Sequence, residues 1–190
     1  HIIENDKITR NCNGTTIAPG REIAGKTVGI IGLGAIGQRV AKLIQAFGCK
    51  VIAWNRTHKD LDGIRIVDKE TLMRESDIIT LHIALNDETR NFITSKDLGL
   101  MKPSAIIINA ARGPIINTHN LAEALKKGQI AGAALDVYDN EPPLKNDNPL
   151  LDLENTLLLP HIGFSTEEAF ELRLGIVVRN VLKYIEDNIK

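Results

Sequence analysis

Thr27-Val28-Gly29-Ile30-Ile31-Gly32-Leu33-Gly34-Ala35-Ile36-Gly37 is the stretch on which the fold turns. Its first part is apolar or small at successive positions. That pattern suits a strand buried on both faces, as in a parallel sheet under helices. The strand runs straight into G-x-G-x-x-G, and helical spacing follows at once. The glycine pattern alone is a weak signal, but between a strand and a helix it is specific for a dinucleotide site. Gly32 permits the tight turn. Gly34 has no Cβ to hold a pyrophosphate away from the backbone, and Gly37 lets the helix pack closely on the sheet. The helix start at Ala35 and Ile36 offers free N–H groups and a positive dipole end to phosphate.

Outward from this stretch, apolar runs alternate with helical patterns. The runs are Val51–Trp54, Ile78–Leu81, Ala105–Ile108, Ile130–Leu135 and Thr156–Leu159. Ile36, Val40, Ile44 and Phe47 share a helical face, with Gly48 closing the helix. Leu121, Ala124 and Leu125 make a second stripe, ended by Lys126-Lys127-Gly128. Ser165 and Glu168 have the spacing of a capping box and open a long final helix through Leu172, Ile176 and Val177. Such alternation predicts an α/β domain: a doubly wound parallel sheet (Rossmann fold) with helices on both faces and right-handed crossovers.

The bulk properties agree. A chain of 190 residues, 43% hydrophobic, suits one domain. Residues 1–190 are expected to form a single dinucleotide-binding unit, with 1–25 as a lead segment and 165–190 as a return helix. The net charge of -1 gives no footing for nucleic acid or an anionic membrane. No apolar run approaches the roughly 20 residues that a membrane span needs. Cys12 and Cys49 lack metal-ligand spacing and read as reduced thiols of a cytoplasmic protein, so no metal is expected. The start at His1 carries no initiator Met and has the look of a truncated or processed end.

The second strand should end in the residue that reads the adenosine ribose. NAD sites usually place a carboxylate there. Here the positions are Asn55, Arg56 and Thr57, all without one. A carboxylate would repel a 2′-phosphate, and its absence removes that repulsion. Arg56, with Thr57 and Lys59, offers charge-assisted hydrogen bonds to such a phosphate. The cofactor is therefore expected to be NADP(H) or NAD(H), with NADP(H) slightly favoured.

Polar groups follow the later strands. Asn109-Ala110-Ala111-Arg112 follows one, Asp136 ends the next with Glu141 beyond it, and His161 follows the last. In an open parallel sheet these tips share the ligand-binding edge. Hydride exchange with a 2-hydroxy acid needs a guanidinium for the carboxylate, a proton carrier and a group that orients that carrier. Arg112, His161 and Glu141 fit these roles. Singly each has a plainer explanation, as an exposed ion pair, a structural imidazole or a turn. Their gathering at one edge favours chemistry. His82 is expected to be structural, and His1, His58 and His119 are expected to be peripheral.

These residues resemble the D-isomer-specific 2-hydroxyacid dehydrogenases. The likeness rests on Gly20-Arg21-Glu22-Ile23-Ala24-Gly25-Lys26-Thr27-Val28-Gly29, Leu81-His82-Ile83-Ala84-Leu85, Met101-Lys102-Pro103 and Ile108-Asn109-Ala110-Ala111-Arg112-Gly113. It continues through Ala134-Leu135-Asp136-Val137-Tyr138, Glu141-Pro142 and Pro160-His161-Ile162-Gly163. The resemblance implies that Arg112 binds the substrate carboxylate, His161 is the acid/base and Glu141 is its partner. It further implies that Asp136 holds the nicotinamide amide and that Ala84, Asn109, Ala110, His161 and Gly163 line the cofactor.

The chain departs from the family at Asn55, where the family carries Asp, and at Ala84 and Asn86, where Pro and a hydroxyl residue are common. Members of the family carry a further N-terminal lobe that builds most of the substrate site. That lobe is absent here, so the isolated chain is expected to bind dinucleotide and turn over little. The family also suggests a homodimer through the cofactor domain, with 1–25 as an arm. A rival from another class is a nucleotide-sensing, dimeric corepressor-like module that binds cofactor without turnover.

Overall fold

The computed structural model describes residues 8–11, 20–57, 59, 61–141 and 144–188. Cys12, His1, His58, Pro142 and most of the expected 1–25 arm lie outside them. The strands are β1 (Thr27–Ile31), β2 (Lys50–Trp54), β3 (Ile64–Ile66), β4 (Ile78–Leu81), β5 (Ile106–Asn109), β6 (Gly132–Leu135) and β7 (Thr156–Leu158). They form one seven-stranded sheet in the order β3-β2-β1-β4-β5-β6-β7. Every neighbouring pair is parallel. The order reverses between β1 and β4, which marks the switch point of a doubly wound Rossmann sheet.

Among the described residues, α1 (Ala35–Ala46), α2 (Lys69–Glu75), α3 (Ser95–Leu100) and α4 (Thr118–Lys126) lie between strands, and α5 (Glu167–Asn188) follows β7. Alternate residues along β1 separate the two faces. Val28 and Ile30 pack with Ala41 of α1, together with Val51 and Ala53 of β2. Ile31 joins the larger core on the other side, where Leu72 and Met73 of α2, Leu98 of α3 and Leu121 of α4 meet Ile79, Leu81 and Ile107. Each such fully buried side chain contributes roughly 1.5–3 kcal/mol relative to exposure. Most of the fold's apolar stabilisation therefore lies under α2, α3 and α4.

Four expectations change. The six anticipated strands are seven, because the three-residue β3 is too short to show a period. The anticipated stripe of α1 is split. Val40 and Ile44 pack on the core with Gly37 and Ala41, whereas Ile36 and Phe47 are 67% and 62% exposed. The close approach of α1 at its glycine and alanine turns those two larger side chains outward. The final helix begins one residue later than its capping box implies. It starts at Glu167, and Thr166 is the cap, its hydroxyl accepting from the Ala169 amide at 3.1 Å. Its stripe through Leu172, Ile176 and Val177 is exposed, and no residue of α5 is buried. Among the described residues no helix is long and apolar enough to cross a membrane.

Candidate active site at the carboxyl rim

One registered row crosses the sheet: Trp54, Ile31, Leu81, Asn109, Leu135 and Leu158 stand side by side on six strands. The chain leaves the sheet just beyond that row at Asn55, Gly32, His82, Ala110, Asp136 and Leu159. The residues singled out from sequence thus hang from a single edge.

At the centre of the edge, Gly32 has φ +101°. A Cβ there would lie 2.7 Å from the His82 carbonyl oxygen, and one on Gly37 would lie 2.0 Å from the Gly32 oxygen. Both positions therefore require glycine for the fold itself. Gly34 differs, since a Cβ on it would meet nothing within 4 Å. The space beside Gly34 is open, as an approaching anion requires. The helix behind it is suited to the same guest. Asp68, Thr94, Asn117 and Thr166 cap the starts of α2, α3, α4 and α5. α1 has no side-chain cap and no acidic residue in its first turn. Its first-turn amides and positive dipole end have no side-chain cap, an arrangement that can receive an anion.

At the β2 tip, Asn55 is a bolt between two loops. Its Oδ1 accepts from the Leu33 amide at 2.9 Å, and its Nδ2 donates to the Thr57 carbonyl at 2.7 Å. An aspartate would keep the first bond and lose the second. Lys59 Nζ donates to the Leu33 carbonyl at 2.8 Å, and Arg56 pairs with Glu88 at 3.3 Å. These residues line a cavity of ≈ 450 Å³ shared with Gly34, Ala84 and Phe92. On its wall, His82 bonds the Thr80 hydroxyl at 3.1 Å, and burial pushes its pKa below the ordinary value.

Across the later strands, Asn109 is buried and its side chain shapes the loop that follows. It donates to the Arg112 carbonyl at 2.9 Å and accepts from the Ala111 amide at 3.0 Å. Ala110 stands exposed at the tip. Arg112 Nη1 donates to the Ala111 carbonyl at 2.6 Å. Asp136 is 6% exposed, and its carboxylate accepts from the Ile162 and Gly163 amides at 2.9 and 2.7 Å. Those bonds pin the residue just before them, His161, whose φ of +57° is unusual for a non-glycine.

His161 Nδ1 meets Glu141 Oε2, and Glu141 Oε1 accepts from the Tyr138 amide. The Tyr138 hydroxyl donates to the Leu159 carbonyl at 2.9 Å. Burial first, and the neighbouring Asp136 and Glu141 charges next, raise the Tyr138 pKa and keep that hydroxyl a donor. An apolar cavity of ≈ 610 Å³ opens beside the pair, lined by Tyr138, Leu144, Leu158, Pro160 and Phe164.

The structure joins Glu141 to His161 and sets Arg112 on the adjacent strand tip. Two contributors were given no role from sequence. Tyr138 stood in the motif that carries the family likeness without a task of its own; its position three before Glu141 was the available signal. Glu88 lies in a loop without periodicity and shows its role only in three dimensions.

A family model described as D-isomer specific 2-hydroxyacid dehydrogenase, NAD binding domain, matches residues 1–163. The chain belongs to this family. A glyoxylate reductase of Thermococcus litoralis is 45% identical over 90% of this chain and 52% of its own length. Among solved structures, an acyclic imino acid reductase in complex with NADPH and D-Arg superposes with TM-score 0.85 at 38% identity, covering 98% of this chain and 60% of that one. A D-lactate dehydrogenase of Aquifex aeolicus complexed with NAD and lactic acid gives TM-score 0.88 at 28% identity, covering 98% and 62%. This member of the 2-hydroxyacid dehydrogenases therefore spans from about a third to about three-fifths of the length of the relatives it matches. It is an oxidoreductase cofactor domain for a nicotinamide dinucleotide.

Proposed function

We propose that the chain is the cofactor half of an enzyme that moves a hydride between NAD(P)H and a small 2-oxo or 2-hydroxy acid. One observation carries this reading: the uncapped start of α1 and the Glu141–His161 pair share one rim of one parallel sheet. The bound dinucleotide supplies or accepts the hydride. Gly32, Gly34 and Gly37 shape its pyrophosphate seat, with the Ala35 and Ile36 amides facing the phosphates. Asn55, Arg56 and Thr57 border the ribose, Ala84, Asn109 and Ala110 form the wall, and Asp136 and Gly163 border the nicotinamide.

His161 carries the proton. Glu141 holds its Nδ1, which leaves Nε2 for the substrate oxygen and stabilises the charged ring once the proton is taken up. Arg112 on the next tip grips the carboxylate as a bidentate donor. NADP(H) is slightly favoured over NAD(H), because the β2 tip carries Asn55, Arg56 and Lys59 and no acid. The relatives include one solved with NADPH and one with NAD.

A second lobe would close the cleft over these groups and exclude water. The test compares this chain with a longer form that carries such a lobe. NAD(P)H oxidation is followed with glyoxylate, hydroxypyruvate and phenylpyruvate. The longer form should turn over, and His161→Gln should lower its kcat by about 10²–10⁴. The isolated chain should stay far below the typical rate of about 10 s⁻¹. Dinucleotide binding by the longer form with no turnover on any 2-oxo acid would favour a nucleotide-sensing, corepressor-like module instead.

A further inference from the structure

We propose that Glu88 sets the cofactor preference of this site by competing with a 2′-phosphate for Arg56. The inference rests on the dinucleotide reading above. Glu88 is the one carboxylate among the described residues that line the ≈ 450 Å³ cavity at the β2 tip. It faces Arg56 across that cavity, Oε2 to Nη1 at 3.3 Å. The β2 tip, where a ribose-reading acid would stand, carries instead Asn55, whose amide is engaged at both ends. The negative charge that discriminates against a phosphate therefore comes from a different strand. It arrives on the loop after β4, opposite the cation that would bind that phosphate.

The loop places it firmly. Asn86 Oδ1 accepts from the Glu88 and Thr89 amides, both at 3.0 Å. The Thr89 hydroxyl donates to the Ala84 carbonyl at 2.7 Å. This Asx turn fixes the backbone that carries Glu88 at the cavity mouth. Both side chains of the ion pair are 75% exposed, so the pair is weak and opens readily. NADH leaves it closed. NADPH must displace Glu88 from Arg56 and then lies near the freed carboxylate. The site thus holds a phosphate clamp and its antagonist together, and Glu88 pulls a basic pocket back toward NADH.

The experiment is a four-way titration of the chain with NADH and NADPH, using the unaltered protein, Glu88→Gln, Arg56→Ala and the double variant. Both side chains are surface groups, so the variants should fold, which thermal melts would check. Removal of Glu88 should raise the ratio of NADPH to NADH affinity about two- to fivefold, the range of an exposed ion pair. That gain should shrink in the Arg56→Ala background, since the competition needs both partners. A ratio that stays put or falls in Glu88→Gln overturns the proposal. So does a gain that persists in full without Arg56. Failure of the unaltered chain to bind either dinucleotide would instead sink the cofactor reading, and this inference with it.

Discussion

His82, on the wall of the ≈ 450 Å³ cavity, shows how a single side chain ties stability to pH. Burial lowers its pKa, so the folded domain holds it neutral while the unfolded chain binds a proton near the ordinary value of 6.5. With a depressed folded pKa, its contribution is complete above the unfolded value and is lost as pH falls through the folded one. The melting temperature should therefore decline between about pH 7 and pH 5, and this decline should be shallower in His82→Gln. Parallel slopes for the two proteins would remove His82 from the account. Asp77 and Asp97 act in the acid range. Burial works against both carboxylates, but hydrogen bonds and the charges of Lys102 and Lys69 outweigh it, and both pKa values lie below the ordinary range. Their contribution is present above about pH 4 and fades as pH falls further.

At the scale of elements, the loops after β6 and β7 act as one unit through Asp136. Replacing it with Asn keeps one acceptor and turns an N–H group toward the second amide. A loss of about 1–3 kcal/mol is expected, the cost of one partly buried unsatisfied donor. A lower urea midpoint with an unchanged slope would show it. Elements also mark where the sequence was legible. Strands buried on both faces announce themselves by unbroken apolar runs, and β1, β2, β4, β5 and β7 emerged within a residue or so of their ends. β3, α2 and α3 are three to seven residues long, too short for a period to develop. α1 was misread on Ile36 and Phe47, because size suggested burial where a close helix–sheet approach admits only Gly37 and Ala41. The Glu141–His161 pair could be inferred from strand order, since parallel neighbours deliver their tips together. The Arg56–Glu88 pair could not, because it depends on two loops that carry no repeating pattern.

For the molecule as a whole, cover is uneven. Among the described residues, α1 packs against β1 and β2 on its face of the sheet, while Ile106 and Leu157 on the later strands are 38% and 52% exposed. α5 runs for 22 residues with none buried. A helix that meets its neighbours only through exposed contacts, Phe170 and Arg173 on the Phe164 ring, adds little to the stability of the domain. Removing residues 174–188 should shift the melting temperature by less than about 4 °C. It should also reduce self-association, as measured by light scattering, because exposed Leu174, Val178, Leu182 and Tyr184 go with it. A collapse of the melting transition would show that the helix braces the sheet.

The row that runs from Trp54 through Ile31 and Leu81 to Leu158 gives the protein a ruler with its zero mark at the edge of the sheet. One residue inserted within a strand would turn its side chains inside out and push everything downstream past that mark. One inserted after the mark changes only how far a finger extends into the crevice. The fingers can thus be lengthened or trimmed while the graduations beneath them stay untouched.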